Sequence, residues 1–369
     1  MRKIITGILL SFGITYATEN NYNYFSNPFA QTQFVPDISL IGDFSYVSRN
    51  VKNDTYKELT IPGFIEEHHS EDEHSHYLNA NRGFNLNYGE LAIHSAVDPY
   101  FDLIGIFHLS QEHFEIEELY FLTRNLPYHL RIKGGKFLSS IGRLNKQHQH
   151  VWDFTDVPLV YKAFFGDEKL NEKGIQISWI APTNFYLLLG SEILQGENEQ
   201  SFGKADGSLY TGFIKSSYDI GNLTLIGGIS YLSGKTENDT DSKIYGLDFT
   251  AKYLLDSYRY ISWQSEYLYR DLEDLNKKQG GFYSQVVYRF SRRWRTGFRY
   301  DLLNKNTQNN PEDLDRYSFM IDFTPSEFSR LRFQYNYDRS KFIGNNRQDI
   351  KEFIVELNLV IGAHGAHEF

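Results

Sequence analysis

Four histidines and five carboxylates fall within eleven residues, Glu66-Glu67-His68-His69-Ser70-Glu71-Asp72-Glu73-His74-Ser75-His76. Imidazole nitrogens and carboxylate oxygens suit Zn2+, and also Ni2+ or Cu2+, and His-rich tracts read as metal-binding. His68, His69, Glu71, Glu73, His74 and His76 are therefore the first candidate ligands. No spacing in the tract matches a structural zinc site. The chemistry expected is capture of ions by a labile set of ligands, which would also concentrate cations nearby. The alternative is a solvated acidic loop whose histidines bind nothing. A second group is His148, His150 and Asp153, where two imidazoles two residues apart project to one side of an extended chain. His94, His108 and His113 extend a path between the two groups, and His364 with His367 offers a last pair near the end of the chain.

Other chemistries leave weaker marks. There is no G-x-S-x-G, no H-E-x-x-H and no glycine-rich phosphate loop, so an enzyme is not expected, although a triad assembled from distant strands would not show in the sequence. A formal charge of -10 and the lack of a basic stripe argue against nucleic acid. With no cysteine, no disulfide holds the fold.

The elements that must position these residues follow from export and from periodicity. Arg2 and Lys3 precede an apolar run from Ile4 to Ile14, and Thr15-Tyr16-Ala17 offers a small-residue cleavage site. Residues 1–17 thus read as a signal peptide, 18–37 as a periplasmic N-terminal segment and 38–369 as the folded unit. Beyond the leader no apolar run is long enough for a membrane helix, yet the chain carries 27 Tyr and 29 Phe with only 9 Pro. A transmembrane β-barrel combines these properties, because only alternate side chains meet lipid. A soluble all-β protein is the alternative, but it would hide its aromatics in one core and use fewer of them.

Period-2 alternation carries this reading. Tyr245, Leu247, Phe249, Ala251 and Tyr253 oppose Gly246, Asp248, Thr250 and Lys252; Leu331, Phe333, Tyr335 and Tyr337 oppose Arg330, Arg332, Gln334 and Asn336. About sixteen such segments occur, at 38–47, 84–97, 101–111, 115–124, 129–137, 173–181, 184–194, 208–220, 222–234, 242–255, 258–271, 279–291, 293–303, 314–325, 328–339 and 349–361. Their connections alternate short and long, as periplasmic turns and external loops do. Open edges cannot sit in hydrocarbon, so the expected fold is a closed, antiparallel, all-β transmembrane barrel in the outer membrane of a Gram-negative bacterium. Phe369, an aromatic at the chain end, resembles a C-terminal assembly signal.

A barrel of this size leaves an aqueous lumen unless something fills it. The inward parity predicts a lining of Asp248, Glu266, Arg289, Arg293, Arg295, Arg299, Asp301, Arg330, Arg332 and Glu356. Such a lining either sets a transverse field across a selective path or pairs internally and holds the wall in shape. The segment 138–172, rich in Trp, Phe, Leu and Val, is expected to fold into the lumen as a constriction, with one or two helical turns after Pro158. Packing among external loops is the alternative.

The stretch from Phe84 to Gly196 resembles a family of proteobacterial outer-membrane proteins known as zinc-regulated outer-membrane proteins. The resemblance rests on Gly83-Phe84-Asn85-Leu86-Asn87-Tyr88-Gly89-Glu90-Leu91, Glu117-Glu118-Leu119-Tyr120, Gly135-Lys136-Phe137 and Gly142-Arg143-Leu144-Asn145. It continues through His148, His150, Trp152-Asp153-Phe154, Asp156, Pro158-Leu159-Val160-Tyr161 and Ala163, and includes the tail from Gly362 to Phe369. It implies an outer-membrane barrel linked to the supply of zinc or another divalent metal. The 18–37 segment is too short for the plug domain of an energy-coupled receptor, and the layout is closer to a sixteen-stranded specific porin with an infolded third loop. The combined expectation is a channel passing small solutes, divalent ions among them. A non-transporting surface protein that binds metal or a partner, and an anion-preferring porin, are the alternatives. No cofactor is required, zinc or another divalent cation being substrate. The expected partners are outer-membrane lipid, lipopolysaccharide and the barrel-assembly machinery, and a homotrimer is compatible.

Overall fold

A computed structural model describes residues 36–64, 78–110, 114–272, 277–305 and 314–362. Sixteen strands run through these residues. They are β1 (Asp37–Arg49), β2 (Gly83–Ala96), β3 (Phe101–Leu109), β4 (Phe114–Thr123), β5 (Leu130–Leu138), β6 (Asn171–Ile180), β7 (Tyr186–Leu194) and β8 (Leu209–Ile220). They continue as β9 (Leu223–Lys235), β10 (Asp241–Leu254), β11 (Tyr260–Leu272), β12 (Lys277–Arg289), β13 (Trp294–Lys305), β14 (Leu314–Ser326), β15 (Ser329–Ile343) and β16 (Asn346–Gly362). Every strand pairs antiparallel with its sequence neighbours, and β1 closes on β16 from Ser39 opposite Gly362 to Arg49 opposite Glu352. Closure satisfies each ladder within the wall, the condition hydrocarbon imposes. The ends expected from alternation differ from these by four residues at most, at the end of β15.

The inside and outside faces follow the alternation. On β10, Tyr245, Leu247 and Phe249 are exposed, Leu247 at 57%, while Ile244 and Asp248 are buried. Trp263, Tyr267, Phe298, Phe319, Phe353 and Leu357 continue the outward apolar surface on other strands. The strands hold nine to seventeen residues, enough for tilted strands to cross the bilayer core. At the short-turn end, Asp98 accepts hydrogen bonds from the backbone N–H of Tyr100 and Phe101, and Asp256 does the same for Tyr258 and Arg259. These Asx-type turns reverse the chain without help from the core.

The interior is not an open tube. Residues 139–170, between β5 and β6, fold into the lumen and are called L3 here. Their helix, α2 (Leu159–Phe165) in chain order after the short α1 (Asn53–Lys57), buries Leu159, Val160, Tyr161, Ala163, Phe164 and Phe165. It joins a cluster with Phe137, Leu194, Leu209, Leu232, Ile244, Leu268, Tyr283, Leu303, Leu314 and Phe342, drawn from strands around most of the wall. Those wall residues lie toward the strand ends that carry long loops, so the apolar plug sits in the external half of the lumen. Residues 50–64 add Ile61 and Phe64 to the plug and dock Thr60 against Phe342 through paired backbone hydrogen bonds of 2.9 and 3.0 Å.

Candidate functional site in the lumen

One wall of the lumen gathers carboxylates and imidazoles. Glu90 of β2 lies directly across the ladder from His108 of β3. Between β3 and β4 the register slips: Ile106 pairs with Glu118 and Phe107 with Ile116, leaving Glu117 as an extra residue. A bulge of this kind re-aims a side chain. Here it turns Glu117 inward beside Glu118, and both are buried. L3 supplies the remaining groups. Gly142, with φ at +54°, turns the chain in the left-handed region where a Cβ would meet the Glu266 carboxylate and the Tyr161 hydroxyl at 2.3 Å. The chain then runs to His148 and the single 3-10 turn Gln149–Val151.

The distances define a compact cluster. His148 Nδ1 is 3.3 Å from Glu117 Oε2 and 4.0 Å from Glu90 Oε2, and its Nε2 is 2.8 Å from Glu118 Oε1. His108 Nε2 is 2.7 Å from Glu117 Oε2 and 3.8 Å from Glu90 Oε2. His150 Nδ1 is 3.2 Å from Glu90 Oε2, and its ring lies nearly parallel to that of His148, 6.0 Å away. Glu118 Oε2 accepts the Leu138 backbone N–H at 2.8 Å, which fixes that carboxylate. Burial disfavours charge on His148, but Glu117, Glu118 and Glu90 outweigh it and hold the imidazole well above its usual value. Lys169 sits close by. Burial pushes its amine down to about 8 despite these carboxylates, and it donates to the carbonyls of Asn145 (3.0 Å) and Gln147.

The rest of the charged lining holds L3 in place. Glu266 accepts the N–H of Arg143 and of Leu144, both at 2.9 Å, and the hydroxyls of Tyr161 at 2.7 Å and Tyr283 at 2.5 Å. Asp301 accepts the Leu159 N–H at 2.9 Å and pairs with Arg299 and Arg316. Arg299 and Arg316 both grip Asp156, at 3.0 and 2.6 Å. Arg330 and Arg332 donate to the carbonyls of His150 and Trp152, and Glu356 lies 3.2 Å from Arg332. Arg299, Asp301 and Arg332 are at most 1% exposed. Of the two uses open to such a lining, internal pairing accounts for these groups. Asp248 lies opposite Glu266 in the ladder and is buried. Arg289 is on β12, where it donates to the carbonyls of Ser291 and Arg292 in the turn that follows. Arg293 is exposed in that turn and is not part of the wall, because the strand ends at Arg289.

The expected grouping of His148, His150 and Asp153 is only half met. The two histidines face the same carboxylate, whereas Asp153 is held by Arg295 at 2.9 Å and by Gln285 at 2.9 Å. His94 stays on β2, four residues from Glu90. His68, His69, Glu71, Glu73, His74, His76, His113, His364, His367 and Phe369 lie outside the described residues. Glu90, Glu117 and Glu118 were not among the expected ligands. Two adjacent carboxylates interrupting the alternation of β4 were the one visible sign of the bulge.

No family model matches this chain. Among solved structures the fold resembles the anion-selective porin from Comamonas acidovorans, with a TM-score of 0.60 at 10% identity, covering 89% of this chain and 100% of that one. It also resembles Pseudomonas putida OprB, with a TM-score of 0.57 at 10% identity, covering 89% and 94%. The trimer form of in-vitro folded OmpT from Vibrio cholerae gives 0.56 at 11% identity, covering 89% and 99%. At these identities the likeness is one of fold, the porin-type barrel of the Gram-negative outer membrane. A protein of Aquifex aeolicus (strain VF5), described only as uncharacterized, is 49% identical over 390 residues, covering 94% of this chain and 82% of its own length. The chain belongs to the same family as that Aquifex aeolicus protein.

Proposed function

We propose that this protein is an outer-membrane channel for small solutes, divalent metal ions such as zinc among them, passing without energy coupling. The observation that supports this reading most is the cluster of carboxylates and imidazoles that L3 completes inside the barrel. Glu90, Glu117, Glu118, His108, His148 and His150 line one side of the lumen. Charged groups lining a lumen orient polar solutes and select among them. In this reading residues 66–76 capture ions outside the barrel and the imidazole side of the lumen receives them. Zinc or another divalent cation is substrate, no cofactor is needed, and no step of chemistry is assigned to the chain. The exterior belongs in outer-membrane lipid and lipopolysaccharide, with the barrel-assembly machinery as the route there. Assembly as a homotrimer is part of the proposal and is checked by cross-linking in membranes.

Reversal potentials of purified protein in planar bilayers with asymmetric salt test the reading. Cation preference, with a zinc current, supports it. Anion preference would replace it with an anion-selective porin, the description carried by the Comamonas acidovorans protein of like fold. One observation favours a different reading, a non-transporting surface barrel that binds metal or a partner: α2 belongs to one apolar cluster that includes side chains from β5 and β7 to β15. That reading requires no conductance at any salt gradient.

A further inference from the structure

Three oxygen and nitrogen atoms converge at one point of the lumen wall. One carboxylate oxygen each of Glu90 and Glu117 and one ring nitrogen of His148 lie within 4.8 Å of one another. His108 adds a second nitrogen 2.7 and 3.8 Å from those two oxygens. Tetrahedral zinc bonds of about 2.0–2.1 Å place neighbouring donors roughly 3.4 Å apart. The four His-to-Glu separations here, 2.7, 3.3, 3.8 and 4.0 Å, bracket that spacing.

Two further observations separate this cluster from a chance gathering of acids. Glu117 is 9% exposed, and its Oε2 is buried without a hydrogen-bond partner, as are His108 Nε2 and His148 Nδ1. These atoms meet in one small space as His–Glu ion pairs, without aligned hydrogen bonds between them. Buried polar atoms in folded proteins nearly always have a hydrogen-bond partner. His148 also carries its other nitrogen, Nε2, 2.8 Å from Glu118, which is itself fixed by the Leu138 N–H. A carboxylate holding the far N–H of an imidazole leaves the near nitrogen as the one that gives up its proton to a metal, the usual support behind a metal-binding histidine.

We propose that Glu90, Glu117 and His148, with His108 as fourth donor, bind one divalent transition-metal ion of the zinc class, and that this ion ties L3 to strands β2 to β4. Glu118 is a positioning residue for His148. The proposal deepens the metal-handling side of the proposed function and rests on that reading of the lumen. Two carboxylates with two imidazoles favour zinc or its first-row neighbours over Mg2+, which prefers an all-oxygen octahedron. The histidine side chains keep between a tenth and a fifth of their surface open, so the site is reachable from the lumen.

The test is calorimetric titration of ZnCl2 and, separately, MgCl2 into the full, tag-free chain in detergent after chelator treatment. A variant with His68, His69, His74 and His76 changed to Ala removes the competing tract. The expected result is one zinc per chain in that variant and no comparable Mg2+ binding. Adding Glu117→Gln or His148→Ala should weaken zinc at least tenfold, and Glu118→Gln by about 10- to 100-fold. Zinc should also slow trypsin cleavage within L3. Glu117→Gln is nearly isosteric and covers the case in which His148→Ala does not fold. Zinc binding that vanishes with the four loop histidines, or that survives both Glu117→Gln and His148→Ala unchanged, overturns the proposal. The titration needs no ion flow: bound zinc in a protein that never conducts would sink the channel reading alone, and conductance without bound zinc would sink this one alone.

Discussion

Glu266 is the most demanding latch on L3, and replacing it with alanine gives the most informative perturbation of the plug. The carboxylate is 1% exposed and receives two backbone N–H groups and two phenol hydroxyls. Each buried donor stranded by the change costs about 1–3 kcal/mol. Tyr283 keeps a contact with Gln264, and water entering the vacated space satisfies part of the rest. Counting chiefly the N–H groups of Arg143 and Leu144 leaves roughly 2–4 kcal/mol. At about 1.4 kcal/mol per factor of ten, the released state of L3 should become roughly 30- to 1,000-fold more populated. Trypsin reads this directly, because Arg143, Lys146, Lys162 and Lys169 all lie in L3. Cleavage within 139–170 should accelerate accordingly in Glu266→Ala, and less in Glu266→Gln, which keeps an oxygen for the backbone. Wild-type protection of L3 in a folded Glu266→Ala barrel would refute the claim that this carboxylate anchors the loop.

Other expectations follow from the same geometry. Phe164→Ala empties part of the plug and should cost about 3–5 kcal/mol, seen as a lower thermal midpoint with the strand spectrum retained. Leu247→Arg places a charge on the lipid face and should cost about 2–4 kcal/mol if it lies near the bilayer midplane; equal stability in vesicle-based urea unfolding would contradict the assigned outward face. Asp156 is half-buried, which opposes its ionisation, but Arg299 and Arg316 outweigh this and hold it below its ordinary value of 3.8. A depressed carboxylate lends stability that is present above the unfolded value and lost as pH falls through the folded one. The Asp156 latch should therefore hold in full above 3.8 and be lost only as pH falls further, through its lowered folded value. The readout is Trp152 fluorescence in a chain whose other tryptophans are phenylalanine, and Asp156→Asn should abolish the acid-side transition. A transition attributable to Asp156 between pH 5 and 7 would be the wrong sign.

The barrel was legible because hydrocarbon enforces a two-residue alternation along every strand, and the alternation of Tyr245 to Tyr253 or Leu331 to Tyr337 survives in the structure as outside and inside. L3 was legible for a related reason: a loop containing Trp152, Phe154 and Leu159 to Phe165 must find apolar surface. The candidate site was only partly visible. His148 and His150 could be named from their types, but their carboxylate partners come from β2 and from the Glu117 bulge, and no local spacing joins residue 90 to residue 148. Asp153 pairs with Arg295, which is remote in the chain and which no local spacing announces. Among the charged residues of β11 to β16, Glu266, Arg299, Asp301, Arg332 and Glu356 are buried, whereas Arg293 is exposed in a turn. The buried charges' task of binding L3 depends on where the loop lies, which a strand pattern does not record.

In the proposed function, L3 narrows a channel that the barrel wall would otherwise leave wide. Single-channel conductance in planar bilayers tests it most directly, comparing the full chain with one in which residues 143–168 are replaced by a short glycine-serine link. The account predicts a small unitary conductance for the full chain and one several-fold larger for the shortened chain. Equal conductances would place the narrowest point somewhere other than L3, and silence from both would remove the channel itself.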